Sequence, residues 1–225
     1  MGTKTKLGIV TIGQAPRTDV VPEMADLIGP GAEILERGAL DGLAPDAIAA
    51  LEPRPGQGVL VTRLADGRAV FVAKEAVTPL VQARVDALEA EGVGLTVLLC
   101  TGPFVGLRAR RALLEPEKVL VGVLRGVAFP GRLGVIAPSP RHVEQTAARW
   151  RGHGFDPVVV SLSPYHDVAL GDAAACLRDR DVGLLLLDCM GFRREARREL
   201  QEALGVPLIV ANLLVARVVG ELLGA

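Results

Sequence analysis

Two cysteines stand in similar surroundings in the two halves of the chain. Cys100 and Cys189 each follow an apolar run, Leu95–Leu99 and Leu184–Leu187, and a glycine lies two residues after each cysteine. Two thiols on opposite sides of one carbon can invert the configuration of that carbon, because one thiolate removes a proton and the other thiol returns a proton on the opposite side. Nearby N–H dipoles make a thiolate available by lowering its pKa from about 8.5. We therefore interpret both cysteines as candidate catalytic residues.

The segments around these runs supply candidate substrate-binding groups. Backbone amides at Thr101–Gly102 and Met190–Gly191 are expected at helix N-termini, where they would stabilise a thiolate, a substrate carboxylate or an enolate-like intermediate. The loop after the first strand adds Thr11, Gln14 and Arg17. Arg17 has the planar fork that binds a carboxylate through two hydrogen bonds.

The second half offers further polar candidates. Ser139 lies in the loop of the second half that corresponds to the loop with Thr11, Gln14 and Arg17. His166 is a candidate general acid or a partner that orients Cys189. Asp188 should point away from Cys189 and, if buried, is expected to bind backbone amides. We expect His142 at the surface and interpret Cys176 as core filling on a helix.

The sequence contains no pattern that would hold a metal or a common cofactor. The three histidines are scattered and the cysteines are not closely paired, so no zinc spacing exists. There is no nucleophile elbow, no phosphate-binding P-loop and no dinucleotide fingerprint. We therefore expect no metal and no cofactor.

Composition excludes several other classes. With 25 basic and 26 acidic residues and 3% aromatics, the chain lacks the surplus cations and stacking surfaces of nucleic-acid binders. Three cysteines fit a reducing compartment. The segment 1–6 has no signal-peptide core, and the apolar tract 206–223 is interrupted by polar residues. We expect a cytoplasmic protein without a membrane span.

Short apolar runs alternate with helical spacing, which predicts βαβ units and parallel sheets. The halves share two motifs, because Leu7-Gly-Ile-Val matches Leu133-Gly-Val-Ile and each half later carries its Cys-x-Gly segment. Asp66-Gly67 between two β-branched runs predicts an antiparallel hairpin near 58–74. Ligands of open parallel sheets lie beyond the carboxyl ends of the strands.

These patterns predict an α/β fold of two pseudo-twofold related, flavodoxin-like halves, with the hairpin inserted in the first. The first half is expected over 1–128 and the second over 129–212, with a final helix over 213–225 packing back on the first. If the halves face each other, both thiols reach one cleft.

The motifs resemble those of known proteins. Paired Cys-x-Gly strand ends resemble the aspartate/glutamate/hydantoin racemase superfamily. Three segments match the AroM proteins within it: Val10-Thr-Ile-Gly-Gln-Ala-Pro-Arg17, Leu187-Asp-Cys-Met-Gly-Phe192 and Asn212-Leu-Leu-Val-Ala-Arg217. The resemblance implies the two-half racemase fold. The amino-acid racemases of the superfamily place a carboxylate-binding Thr after each cysteine, whereas Met190 follows the second one here.

The functional expectation is a cofactor-independent racemase or isomerase that moves a proton at a carbon next to a carboxylate or carbonyl. Two alternatives remain open: a decarboxylase of the same fold that uses Cys189 alone, and a non-catalytic small-molecule binding or regulatory protein. The expected substrate is a small anion or carbonyl compound. Because hairpin strands expose edges, we also expect a homodimer with the hairpin as a contact.

Overall fold

The computed structural model describes residues 4–165 and 170–224. The strands are β1 Thr5–Thr11, β2 Ala32–Gly38, β3 Val59–Arg63, β4 Ala69–Ala73, β5 Leu95–Leu99, β6 Ala112–Leu114, β7 Arg132–Ala137, β8 Pro157–Ser161, β9 Val182–Leu187 and β10 Leu208–Val210. The helices are α1 Val21–Ile28, α2 Pro45–Ala49, α3 Lys74–Ala90, α4 Pro116–Gly126, α5 Val143–Gly152, α6 Leu170–Arg178, α7 Arg194–Leu204 and α8 Ala211–Leu223. None of the helices in these ranges is long and apolar enough to cross a membrane.

The chain divides into two compact units. The first consists of Met1–Lys118 and Ala216–Ala225, and the second of Val119–Val215. The first contains a sheet of order β2-β1-β5-β6 and the second a sheet of order β10-β9-β7-β8. All neighbouring strands in both sheets are parallel. When β1 is matched to β7 and β5 to β9, the two strand orders are the same, so the predicted α/β fold with two similar halves is confirmed.

The central strands of both sheets are buried on both faces. In β5 every residue is buried, and in β7 and β9 only the first one or two residues are partly exposed. Continuous apolar runs are the sequence form of such strands, because a parallel sheet is covered by helices on each side. The backbone can meet polar ligands only where these strands end.

Two features differ from the sequence-based prediction. The spacing of apolar residues predicts a helix from Thr18 to Ile28, but helix α1 begins at Val21, because the N–H groups of Val20 and Val21 both bind the carbonyl of Arg17 in a turn. Strand β6 was not predicted, since three residues are too few to carry an alternation pattern.

The predicted hairpin is present as β3 and β4, and it packs on the loop that follows β1. Leu60 and Val72 of the hairpin join the same apolar cluster as Ile12. The backbone N–H of Gln14 donates to the carbonyl of Arg63 at 3.2 Å. The hairpin is therefore part of the core of the first unit.

This packing leaves no room for a side chain at Gly13. A Cβ there would lie 2.3 Å from both the carbonyl oxygen of Arg63 and Oγ1 of Thr62. We expect Gly13→Ala to lower the free energy of unfolding by about 1–3 kcal/mol, because the hairpin backbone must move. Gly31→Ala is the matched control, since a Cβ at Gly31 meets nothing within 4 Å. Urea unfolding measures both, and equal losses would contradict the close approach at Gly13.

Candidate active site

Cys100 lies directly after β5 in a tight turn. The N–H of Gly102 donates to Cys100 Sγ at 3.4 Å. A Cβ at Gly102 would lie 2.9 Å from Leu60 Cδ2 and 3.5 Å from the sulfur, so a side chain at this position would have to displace the end of Leu60. Cys100 is half-buried, and the neighbouring Thr101 is buried.

Cys189 lies in the same kind of turn in the second unit. The N–H of Gly191 donates to Cys189 Sγ at 3.5 Å. A Cβ at Gly191 would lie 2.8 Å from the Tyr165 ring. Cys189 is 8% exposed, and Met190 and Phe192 are buried beside it. Each half therefore aims one backbone N–H at its own sulfur.

The expectation that these amides begin helices is wrong. No helix starts after Cys100, since a loop over 101–111 leads to β6. After Cys189, helix α7 begins only at Arg194. After each cysteine, the glycine two residues later directs its N–H back to the sulfur, and the chain does not continue into a helix. The electrostatic support for each sulfur thus includes one turn amide.

The β1 loop uses its polar side chains internally. Gln14 Nε2 donates to the Leu40 carbonyl at 3.4 Å, and Gln14 Oε1 accepts the N–H of Ala65 at 2.9 Å. Thr11 Oγ1 accepts the N–H of Gly13 at 3.3 Å and Arg17 Nη1 at 3.2 Å. Gln14 therefore ties the loop to the hairpin, and Thr11 ties the end of β1 to Arg17.

Arg17 is buried at 3% exposure, and the carboxylate in its fork is that of Asp19. Arg17 Nε and Nη2 donate to the two oxygens of Asp19, both at 2.9 Å. Arg63 of the hairpin lies 3.3 Å from Asp19 Oδ2. Burial raises the pKa of Asp19, but the hydrogen bonds and charge of Arg17, helped by Arg63, hold that pKa below its ordinary value. In this arrangement the fork of Arg17 holds a protein carboxylate, not a substrate one.

Ser139 is buried and paired with a histidine. Its Oγ lies 2.8 Å from His142 Nδ1. His142 is 5% exposed, which corrects the expectation that it lies at the surface. Ser139 and His142 are separated by the spacing of one helical turn, and this spacing is the sequence feature that could have predicted their contact. Burial lowers the pKa of His142 to about 4, against the opposing charge of Asp188, so the ring is neutral at pH 7.

Asp188 is buried behind Cys189, but its partners are side chains instead of the expected backbone amides. Its Oδ2 accepts the Trp150 indole N–H at 2.9 Å and also binds Arg149. Both partners come from α5, so the residue before Cys189 is fixed to the helix that covers the sheet. Asn212 was missed by sequence reasoning, and it donates from Nδ2 to the Phe192 carbonyl at 2.8 Å.

Two other expectations have simple outcomes. Cys176 is exposed, so its interpretation as core filling is wrong. His166 lies outside the described residues. Asp19 and Arg63 were not predicted as part of the site, although Asp19 lies two residues after Arg17. The contact between Asp19 and Arg63 joins residues that are far apart in the sequence, so no local sequence pattern predicts it.

The AroM family model, described as AroM protein, matches residues 7–223. The chain belongs to the AroM family. This assignment confirms the resemblance read from the motifs around Arg17, Cys189 and Asn212. No curated protein sequence matches the chain.

Solved structures share the fold of this AroM protein at low sequence identity. Allantoin racemase from Klebsiella pneumoniae matches with a TM-score of 0.61 and 16% identity, over 98% of this chain and 88% of that chain. Arylmalonate decarboxylase matches with a TM-score of 0.61 and 18% identity, over 96% and 92%. The maleate isomerase Iso from Pseudomonas putida S16 matches with a TM-score of 0.60 and 13% identity, over 95% and 90%. The chain thus has the fold of the racemase superfamily.

The neutral state of His142 predicts a specific pH dependence of stability. The pKa of His142 is about 4 in the folded protein and 6.5 ordinarily. The contribution of the neutral ring to the free energy of unfolding is therefore fully present above pH 6.5, and it is lost as the pH falls toward 4. The loss amounts to about 3 kcal/mol, because each pKa unit corresponds to about 1.4 kcal/mol. Urea unfolding followed by the fluorescence of Trp150, the single tryptophan, reports this unit.

The variant for comparison is His142→Asn, which keeps a polar group near Ser139 but does not titrate. We expect its unfolding free energy to fall less than that of the wild type between pH 7.5 and pH 5. Parallel pH profiles for the two proteins would show that His142 is not the responsible group.

Proposed function

We propose that this AroM protein is a cofactor-independent racemase or isomerase in which Cys100 and Cys189 exchange a proton with opposite faces of one carbon. The observation that carries the proposal is the repeated turn: in each half a cysteine lies just past the equivalent buried strand, and the N–H of the second residue after it donates to its sulfur. A duplicated thiol with a duplicated donor fits a reaction that treats two faces of a substrate alike.

The proposed step conserves protons. One thiolate takes the proton from a carbon next to a carboxylate or carbonyl and becomes a thiol, and the electron pair moves onto the oxygen as an enolate. The other thiol protonates the carbon from the opposite face and becomes a thiolate. The product is the mirror image, and the reverse reaction uses the two sulfurs in exchanged roles.

The groups around the two turns suit a small anion or carbonyl compound. Thr101 and Ser139 are buried hydroxyls next to the carboxyl ends of β5 and β7, where ligands of parallel sheets bind. These hydroxyls are our candidate hydrogen-bond donors for oxygens that gain charge during proton removal. Among the solved relatives, the racemase, the isomerase and the decarboxylase bear names of reactions on such compounds.

One observation favours a decarboxylase as the second candidate. Cys189 is more buried than Cys100 and lies beside the apolar side chains of Met190 and Phe192. Apolar surroundings destabilise a substrate carboxylate relative to carbon dioxide, and a single thiol then protonates the resulting carbanion. In that reaction Cys189 is required and Cys100 is not.

The test is a set of reactions in heavy water with allantoin, aspartate, glutamate, an arylmalonate and maleate. For a racemase we expect solvent deuterium at one carbon of one compound, together with its mirror image. Cys100→Ser and Cys189→Ser should each lower racemisation by about 10²–10⁴-fold, because each removes one proton-transfer group. Each variant should still exchange the proton on the face served by the remaining thiol.

Cys176→Ser is the matched control, because Cys176 is exposed and lies on α6. It should leave every rate unchanged. Full activity of Cys100→Ser, with release of carbon dioxide from the arylmalonate, would replace the racemase by the decarboxylase. The absence of any reaction across the panel, with both thiols intact, would contradict both.

We further propose that the protein is a homodimer that uses the hairpin as a contact. Strand β3 pairs only with β4 among the described residues, so neither strand of the hairpin has a second strand as partner there. A groove of about 460 Å³ lies beside it, lined by apolar residues such as Pro45, Ile48 and Phe71 together with the charged Glu52, Asp66 and Arg68. Apolar surface next to open strand edges is the kind of surface that a second copy covers.

Val61 on β3 is half-exposed and provides the test. Val61→Lys should shift the mass measured by light scattering from twice 23.6 kDa to 23.6 kDa. Val105→Lys is the control, since Val105 is 87% exposed on another loop. An unchanged dimer mass for Val61→Lys would remove the hairpin from the interface, and a monomeric wild type would remove the dimer.

A further inference from the structure

The hairpin holds the β1 loop through a chain of three charged side chains. Arg63 contacts Asp19, Asp19 binds the fork of Arg17, and Arg17 donates to Thr11 at the carboxyl end of β1. Asp19 and Arg17 are both almost fully buried, so their contacts are shielded from water and salt. A change at Arg63 therefore reaches Thr11 without any direct contact between the two.

Arg63 also binds the turn of its own hairpin. Its Nε donates to the Gly67 carbonyl at 3.0 Å, while its Nη1 lies 3.3 Å from Asp19 Oδ2. Its backbone carbonyl accepts the N–H of Gln14. The guanidinium is thus fixed between the hairpin turn and Asp19, and it connects the hairpin to the β1 loop.

The end of this chain determines the direction of one hydroxyl. A threonine oxygen has two lone pairs and one hydrogen. Thr11 Oγ1 accepts from both Gly13 and Arg17, so its two acceptor positions are occupied and the group can act further only as a donor. Thr11 pairs with Leu99, the residue before Cys100, which places this donor at the same sheet edge as the first cysteine.

We propose that Arg63 is a positioning residue that acts through Asp19 and Arg17 to fix the Thr11 hydroxyl as a donor to a substrate oxygen. The proposal rests on the proposed function for the identity of the acceptor, but the chain from Arg63 to Thr11 does not. The hairpin insertion thereby contributes to the site through its arginine, without touching the substrate.

The first experiment needs no substrate. Hydrogen exchange by NMR should show slow exchange of the Arg17 Nε–H and the Gly13 amide in the wild type. In Arg63→Met both should exchange at least about 10-fold faster, since Asp19 loses its second cation, while Arg63→Lys falls between the two. Arg68→Met is the matched control, because Arg68 lies on the same hairpin and pairs with the exposed Asp66.

The amides of Val97 and Leu98 in the buried strand β5 check that the variants fold normally. Unchanged exchange of Arg17 Nε–H and Gly13 in a folded Arg63→Met protein would overturn the proposal. So would an equal acceleration in Arg68→Met, because it would show a general loosening of the hairpin.

The second experiment uses whichever compound of the heavy-water panel exchanges its proton. Thr11→Val should lower kcat, and Thr11→Ser should restore it. Arg63→Met should lower kcat about 10-fold in the wild type but less than twofold in the Thr11→Val background, because both changes remove the same interaction. Equal losses in both backgrounds would overturn the route through Thr11. If no compound exchanges, the proposed reaction fails, while the exchange of Arg17 still decides whether Arg63 acts on the loop.

Discussion

The central strands of both sheets are buried on each face, and this burial determines where chemistry is available in the chain. A buried strand satisfies its backbone within the sheet and has mostly apolar side chains on both sides, so it offers few polar contacts along its length. Polar groups collect instead where the strands end, at Thr11, Cys100, Ser139 and Cys189. The two cysteines occupy equivalent positions because the sheets have the same strand order.

The two halves use the same turn at the sulfur but differ in what surrounds it. In the first, Leu60 of the hairpin packs against Gly102, and charged residues fix the neighbouring loop. In the second, the Tyr165 ring packs against Gly191, and Asp188 is fixed to α5 by Arg149 and Trp150. The first turn is thus supported by the hairpin, and the second by Tyr165 and two residues of α5.

The sequence supported the fold and the positions of the two cysteines, because both depend on local patterns. Continuous apolar runs, the Asp66-Gly67 turn and the repeated Cys-x-Gly segments are each contained within a few residues. Partners could not be predicted in the same way. Arg17 has the chemistry to bind a substrate carboxylate, and only the folded structure shows that Asp19 and Arg63 occupy its environment. His142 is buried in the folded chain, a fact that its neighbours in sequence do not indicate.

Among the described residues only the first half carries a hairpin, and this asymmetry has a thermodynamic consequence if the chain is a racemase. Mirror-image substrates have equal free energies, so the equilibrium constant is one and kcat/KM must be identical in the two directions. The two sulfurs nevertheless lie in unequal surroundings, so the two enantiomers need not bind equally well. Any difference in KM must then be matched by the same factor in kcat. The hairpin can change how tightly one enantiomer is held, but it cannot change which enantiomer accumulates.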